Sequence, residues 1–374
     1  MKVVLIVTSL FLLTINSCSQ QDEKKDLDEL ISKEANAFLK DNRFNAVSIA
    51  VYHKGESYIG HYGELDAKQN NTPTNETLYE IASVTKTMTG YLVACAVEEG
   101  KLALDTPVYE ILGEEYRNLS YEKEPIRIIH LITHTSGIPL NISEVSELYQ
   151  QPGLDNYSRA RKILSTYTKQ ELLNELKSLK PTMSPGKVYS YSNVAPNLVA
   201  HILETVYDES FEKLIRAKLF EPAKMKSTFI NLPLDKQAQL ANGYNADHQL
   251  MPSFREPINL WGAAGRAKTT SEDMLQYIEW QLQTSNPVVK RSHQKLFKDT
   301  DNISIAYFWD VVKDKNGTHL EHHGGIYGCQ NWLMIYPEYQ LGISIITNVS
   351  FPEANQHIKQ TASQLFNRLK RRRP

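Results

Sequence analysis

Apolar positions along the 374-residue chain change their spacing twice, and those changes divide it into three stretches. Residues 27–41, LDELISKEANAFLKD, carry the 3.6-residue period of an amphipathic helix. The runs VSIAVYH (47–53) and SYIGHYG (57–63) are apolar, β-branched or aromatic, and Lys54-Gly55-Glu56 joins them. They predict a hairpin with a glycine-bearing turn. Residues 81–100 return to a helical period, with Met88, Tyr91, Leu92, Cys95 and Ala96 in the i, i+3, i+4, i+7, i+8 pattern of a core-facing stripe. Helical patterns then dominate to about residue 282, in RIIHLITH, SRARKILSTYTKQELLNELKSL, NVAPNLVAHILETVY, FEKLIRAKLF and SEDMLQYIEWQL. Proline and glycine punctuate the loops between them. The last quarter has strand composition in IAYFWDVV, HLEHHG, CQNWLMIY and GISIITN, with a tight turn at Pro337-Glu338-Tyr339-Gln340, and HIKQTASQLFNRLKRRR closes the chain as a helix.

Strands at both ends and helices between them predict an α/β (α+β) fold. One antiparallel sheet is built from the two chain ends, flanked by helices, and a largely helical domain is inserted into it. The sheet part is expected over about 27–80 and 300–368, and the helical part over about 84–282. No internal repeat or coiled-coil heptad interrupts this plan.

The first residues read differently. Lys2 and the apolar run 3–15, too short to span a bilayer, predict a signal peptide over residues 1–17. Ile15-Asn16-Ser17-Cys18 resembles the lipobox of bacterial lipoproteins, which makes Cys18 a lipidation site. The polar stretch 18–26 then serves as a tether, and the expected location is a membrane, on the periplasmic or cell-surface side; simple cleavage near Ser17 would instead give a soluble periplasmic protein. Two cysteines remain, Cys95 and Cys329, and both read as small core residues, with a single disulfide between them left open. A formal charge of -2 speaks against a nucleic-acid partner. The basic residues at 369–374 read as a solvated tail that complements the dipole of the last helix.

Candidate chemistry begins at the 81–100 stretch. Ser83 and Lys86 are three residues apart, so one face of the first turn presents both. Unpaired N–H groups and the helix dipole favour negative charge at that serine. A desolvated lysine beside it loses its proton more readily and can take the serine's. Ser-x-x-Lys also occurs at Ser120, Ser184, Ser210 and Ser292. Two of those lie in polar stretches, the Ser184 match contains Pro185-Gly186, and Ser210 heads an amphipathic surface helix. Only Ser83 begins a helix apolar enough to be buried along most of its length.

Partners for it come from two later segments. YSYSN, residues 189–193, follows Pro185-Gly186 and precedes a long apolar helix; in an extended segment Tyr191 and Asn193 point to the same side. A second Tyr-x-Asn at Tyr116 lacks that setting. HHGGIYG, residues 322–328, places three glycines at a strand end, where a backbone can approach something closely. N–H groups there can join the Ser83 N–H around an oxyanion, at about 3 kcal/mol per donor.

Taken in order, Ser83-Val84-Thr85-Lys86, Tyr191-Ser192-Asn193 and His323-Gly324-Gly325 resemble the three motifs of the serine β-lactamase and penicillin-binding protein superfamily. The group they resemble holds class C β-lactamases, class VIII-type esterases and D-alanyl-D-alanine peptidases. HLITHTSGIP (130–139), PGKVYSYSN and GAAGRAKTTSEDM (262–274) look like the same family. The resemblance implies Ser83 as acylated nucleophile, Lys86 as its base and Tyr191 as proton relay, with lysine and tyrosine both open as the group that takes the serine proton. Asn193 is implied to orient substrate or Lys86, His323, Gly324 and Gly325 to bind substrate, and the N–H groups of Ser83 and Ile326 to form the oxyanion hole. No cofactor and no metal is implied. Where the family has Lys-Thr-Gly this chain has His323-Gly324-Gly325, so a permanent positive charge and a hydroxyl donor are missing. That favours small esters, amides or peptidoglycan-derived peptides as substrates over β-lactams.

Two other readings compete. His130 and His134 are i, i+4 and His322 and His323 adjacent, but there is no His-Glu-x-x-His and no acidic cluster for a metal; packing within their helix suits the first pair better. The scaffold alone is also compatible with a non-catalytic binding lipoprotein, against which Ser83, Lys86 and Tyr191 are all retained. The segments 141–158 and 234–256 are expected to wall the cleft.

Overall fold

The computed structural model describes residues 27–371; the expected signal segment, the tether with Cys18 and residues 372–374 lie outside them. Helix α1 covers residues 27–38. Strands β1 (Ala46–His53) and β2 (Glu56–Gly63) follow as the hairpin that the pattern predicts. Its two-residue turn is Lys54-Gly55, both at positive φ, the mirror-image geometry that matches strand twist. Six more strands come from the far end of the chain: β3 (Phe297–Lys298), β4 (Ile303–Ile305), β5 (Asp310–Asp314), β6 (Gly317–Ile326), β7 (Cys329–Tyr336) and β8 (Leu341–Thr347). The sheet order is β2-β1-β8-β7-β6-β5-β4-β3, antiparallel at every pairing. The β1–β8 ladder, Val47 opposite Thr347 through His53 opposite Leu341, is the seam that joins the chain ends.

Strand alternation gives this sheet two apolar faces. Val47, Ile49, Val51, Met334, Tyr336, Ile343 and Ile345 pack with α1 and the terminal helix α5 (Ala354–Leu369). Leu320, Leu333, Ile335 and Ile346 face the opposite way, into the core shared with helices α2 (Thr85–Glu98), α3 (Val194–Tyr207) and α4 (Ser271–Gln281). Each fully buried aliphatic contributes about 1.5–3 kcal/mol. α2 runs through the middle of this layer, and every residue from Thr85 to Ala96 is buried, well beyond the apolar stripe. Gly90 is needed there: a Cβ would sit 2.1 Å from the Tyr307 carbonyl oxygen.

Several elements depart from the pattern. α2 starts at Thr85, and Ser83 lies in a preceding 3-10 turn, Ala82–Val84. The helical run 158–179 is two helices, Leu154–Thr166 and Lys169–Ser178, because Thr168 and Glu171 form a capping box that starts the second. FEKLIRAKLF is α-helical over Phe211–Ile215 and π-helical over Arg216–Phe220. IAYFWDVV is not one strand. β4 stops at Ile305, and a buried reversal, with Ala306 N–H bonded to Trp309 O at 2.9 Å and Phe308 at φ 61°, precedes β5. Those residues are apolar because they plug the core beneath α2, not because they pair. At the end of α5, Lys370 donates to Asn316 Oδ1 at 2.5 Å. Cys95 and Cys329 are separate, buried thiols.

Candidate active site

Three segments converge at the head of α2. The turn that carries Ser83 is strained: Ala82 has φ 46°, a left-handed conformation that costs a residue with a Cβ about 1–3 kcal/mol. Thr85 holds it there, with its hydroxyl donating to Ala82 O at 2.7 Å and accepting from Ala267 N–H at 3.2 Å. The loop 262–267 is tied to α2 again where Thr89 Oγ1 donates to Ala263 O at 2.8 Å. The Ser83 N–H belongs to the first turn, where no intrahelical acceptor exists.

Lys86 is wholly buried. Its Nζ lies 3.1 Å from Ser83 Oγ, 2.8 Å from Asn193 Oδ1 and 2.5 Å from the Ala264 carbonyl oxygen. No carboxylate forms an ion pair with it among the described residues. Burial, and then the nearby Arg266 charge, hold its pKa well below the ordinary lysine value. A neutral amine has two hydrogens and one lone pair. When Lys86 is deprotonated, Asn193 and Ala264 accept its two hydrogens and its lone pair then faces the Ser83 hydroxyl.

The second motif is anchored from below. Ser192 Oγ donates to Pro139 O at 2.7 Å and accepts from Val194 and Ala195 N–H, which fixes the start of α3. Ser190 N–H donates to His134 O, and Ser192 N–H to His134 Nδ1 at 3.2 Å. His134 is not on the helix that the i, i+4 spacing suggested. That helix ends at Ile132, and His134 turns at φ 55° to lay its ring 4.4 Å from that of Tyr191. Asn193 accepts from Lys86 through Oδ1 and donates from Nδ2 to Asn141 Oδ1. Tyr191 places its ring 4.8 Å from Lys86 Nζ. Burial raises the Tyr191 pKa and a hydrogen bond with the Ser83 side chain opposes that rise, so the phenol stays protonated.

The third segment differs from its expected register. Gly324 lies against the nucleophile turn, where a Cβ would come 2.2 Å from Ile81 O. Its neighbours on the same face of β6 are Leu320 and His322. His322 is therefore the histidine turned toward Ser83 and Lys86, and burial and the Lys86 charge push its pKa down to about 3. His323 points to the other face, where Nε2 meets Gln330 Oε1 at 2.5 Å and the ring lies 5.1 Å from Trp332. The oxyanion assignment moves by one as well. Tyr327-Gly328 is a two-residue turn, so Ile326 and Cys329 are its closing hydrogen-bonded pair. Alternation then commits the Ile326, Gly324 and His322 N–H groups to β7. The Gly325 N–H points to the open edge of β6, where β5 has ended opposite Glu321.

These pieces line one solvent-open cleft. Ser83, Asn193, Gly325, Ile326 and Tyr327 border it, with Asn141, Ile142 and Tyr149 from the first expected wall. The other wall is Ile258 to Arg266, just beyond the segment 234–256. His322, Ala264, Asn141 and Arg266 are site members that the motifs did not single out. Parity from Gly324 was the available signal for His322.

The beta-lactamase family profile matches residues 31–366. The chain belongs to the beta-lactamase family. Protein flp of Staphylococcus aureus (strain N315) is 25% identical over 354 residues, covering 92% of this chain and 67% of that protein. The beta-lactamase of Escherichia coli (strain K12) is 24% identical over 272 residues, 72% of this chain and 65% of that one. Among solved structures, one class C beta-lactamase superposes with a TM-score of 0.78 at 21% identity, covering 93% of this chain and 98% of its own. Another, from Rhodobacter sphaeroides, gives 0.74 at 20% identity over 91% and 99%. These likenesses show the fold, and with the family match they make the protein a beta-lactamase-fold serine hydrolase relative.

Proposed function

We propose that the protein hydrolyses small esters or amides, including cell-wall-like peptides, through an acyl-enzyme on Ser83. The observation that carries this is the buried Lys86 amine, 3.1 Å from Ser83 Oγ and with its pKa held well below the ordinary lysine value by burial. In the first step Oγ bonds to the substrate carbonyl carbon as its proton passes to Lys86 Nζ. The carbonyl oxygen, now anionic, accepts from the Ser83 and Gly325 N–H groups. The bond to the leaving group then breaks; Tyr191 gives that group its proton and is reprotonated from Lys86. A water repeats the sequence in reverse and frees the acid. Tyr191 suits relay rather than base because burial keeps its phenol neutral. His323 stands where the family has a lysine, and burial lowers its pKa, so no permanent positive charge is held there; this favours esters and peptides over β-lactams as substrates.

The test is intact mass spectrometry and turnover with a panel of p-nitrophenyl esters, a penicillin and a D-Ala-D-Ala peptide. Short-chain ester turnover absent from Ser83→Ala is the expected result. The same turnover in Ser83→Ala would remove the reading.

A further inference from the structure

Among the described residues, Arg266 is the one guanidinium on the wall of the Ser83 cleft. Its Cζ sits 3.3 Å from the centroid of the Phe254 ring, which fixes the plane of the fork against an aromatic base. Among the described residues it makes no ion pair and its guanidinium donates no hydrogen bond. The acid that acts on its charge is Glu80, whose Oε1 already accepts from Phe254 N–H at 3.0 Å. Lys268 is the other charge beside it, and the two repel. Tyr149 and Tyr327 complete its surroundings, joined hydroxyl to hydroxyl at 2.6 Å, and both line the same cleft. Five donors in a rigid fork, part-buried on the cleft wall and without a protein acceptor, are left for a ligand to accept. A planar carboxylate does so bidentately.

We infer that Arg266, with the Tyr149–Tyr327 hydroxyls, anchors a carboxylate on the substrate, so that the protein acts on acyl donors or peptides with a free anionic group near the scissile bond. The anchor stands on the loop that also supplies Ala264 to Lys86, and not on β6, where the family carries a lysine and this chain a histidine. It therefore supplies the charge from a new place. This rests on the acyl-transfer reading above only for the scissile bond; the anion site itself is separable from it.

The experiment has two arms. In the first, calorimetry on the Ser83→Ala protein compares hippurate with hippuramide, its neutral amide. Hippurate is expected to bind roughly ten- to hundredfold more tightly, the range of a charge-assisted pair. Adding Arg266→Gln should bring the two within about twofold, and Arg266→Lys should recover part of the difference. Equal affinities in the Arg266-containing protein, or no binding of either, overturn the inference. In the second arm, the kcat/KM ratio of p-nitrophenyl hydrogen glutarate to p-nitrophenyl valerate is measured with and without Arg266→Gln. That ratio should fall at least about tenfold, carried by KM of the anionic ester. An unchanged ratio overturns the anchor while leaving the acyl-transfer chemistry standing. Hippurate discrimination without turnover of any ester does the reverse.

Discussion

Gly324→Ala isolates the contact on which the oxyanion geometry rests. The added methyl would lie 2.2 Å from Ile81 O, 3.2 Å from the Ile81 carbonyl carbon and 3.3 Å from Val84 Cγ2. Two of these neighbours are backbone, and the turn that holds them is pinned by Thr85 and Ala267, so no side chain can swing aside. Ordinary contact requires β6 and the Ser83 turn to separate by about 1 Å. An oxyanion donor works at about 2.7–3.1 Å from the oxygen, so a shift of that size removes the Gly325 N–H from range. Loss of one such donor lowers kcat by about 10²–10³-fold, while the overpacking costs about 1–3 kcal/mol of stability. The assay pairs kcat on p-nitrophenyl butyrate with the thermal midpoint. Gly153→Ala is the control, since nothing lies within 4 Å of its Cβ and its φ of 169° is extended. A Gly324→Ala protein that keeps kcat within about threefold of the wild type would refute the proposed placing of the oxyanion hole.

Lys86→Met is expected to cut ester turnover by about 10²–10⁴-fold and yet to gain in relative stability as pH falls. The folded-state pKa of Lys86 is depressed, so the unfolded chain takes up its proton first as pH drops from about 10.5. Stability linked to the neutral amine is present above that pH and is lost as pH falls toward the folded pKa. The Met variant has no such loss, so its thermal midpoint relative to wild type should rise between pH 10 and pH 7; a constant difference would show that Lys86 is not depressed. The acid limb of wild-type kcat/KM should lie well below the ordinary lysine range for the same reason. At a site away from the cleft, Asn286 Oδ1 accepts from Val288 and Val289 N–H at 2.9 and 3.4 Å and caps the helix Pro287–Ser292. Asn286→Ala should cost about 1 kcal/mol in chemical denaturation and leave kcat unaltered; a kinetic change there would mean that this helix reaches the site.

The division between what the chain's pattern reveals and what it hides follows from the range of the interactions concerned. Period-two and period-3.6 spacing reports which side of an element is buried, and that is a local property. It therefore found the hairpin, β6 to β8, α2, α3 and the two-ended sheet, and it put Ser83 and Lys86 on one turn. The same spacing misread IAYFWDVV, since apolar residues in a buried reversal look like those of a strand. It also missed the division of the long helical run at Thr168, where a capping box outweighs continuity.

Within the site, residue types near Ser83 were legible, but their facing was not. Whether His322 or His323 turns inward depends on the ladder with β7 and on Gly324 resting against Ile81, neither of which is written in HHGG. Arg266 and the Ala264 carbonyl come from a loop about 180 residues away in the chain, brought to Lys86 only by packing on α2. The fall in the Lys86 pKa has the same origin, because burial is a sum over neighbours from every segment. The sequence by itself determined the order of elements and the reactive groups; the tertiary structure decided which of them meet, since desolvation and direction belong to the assembled molecule.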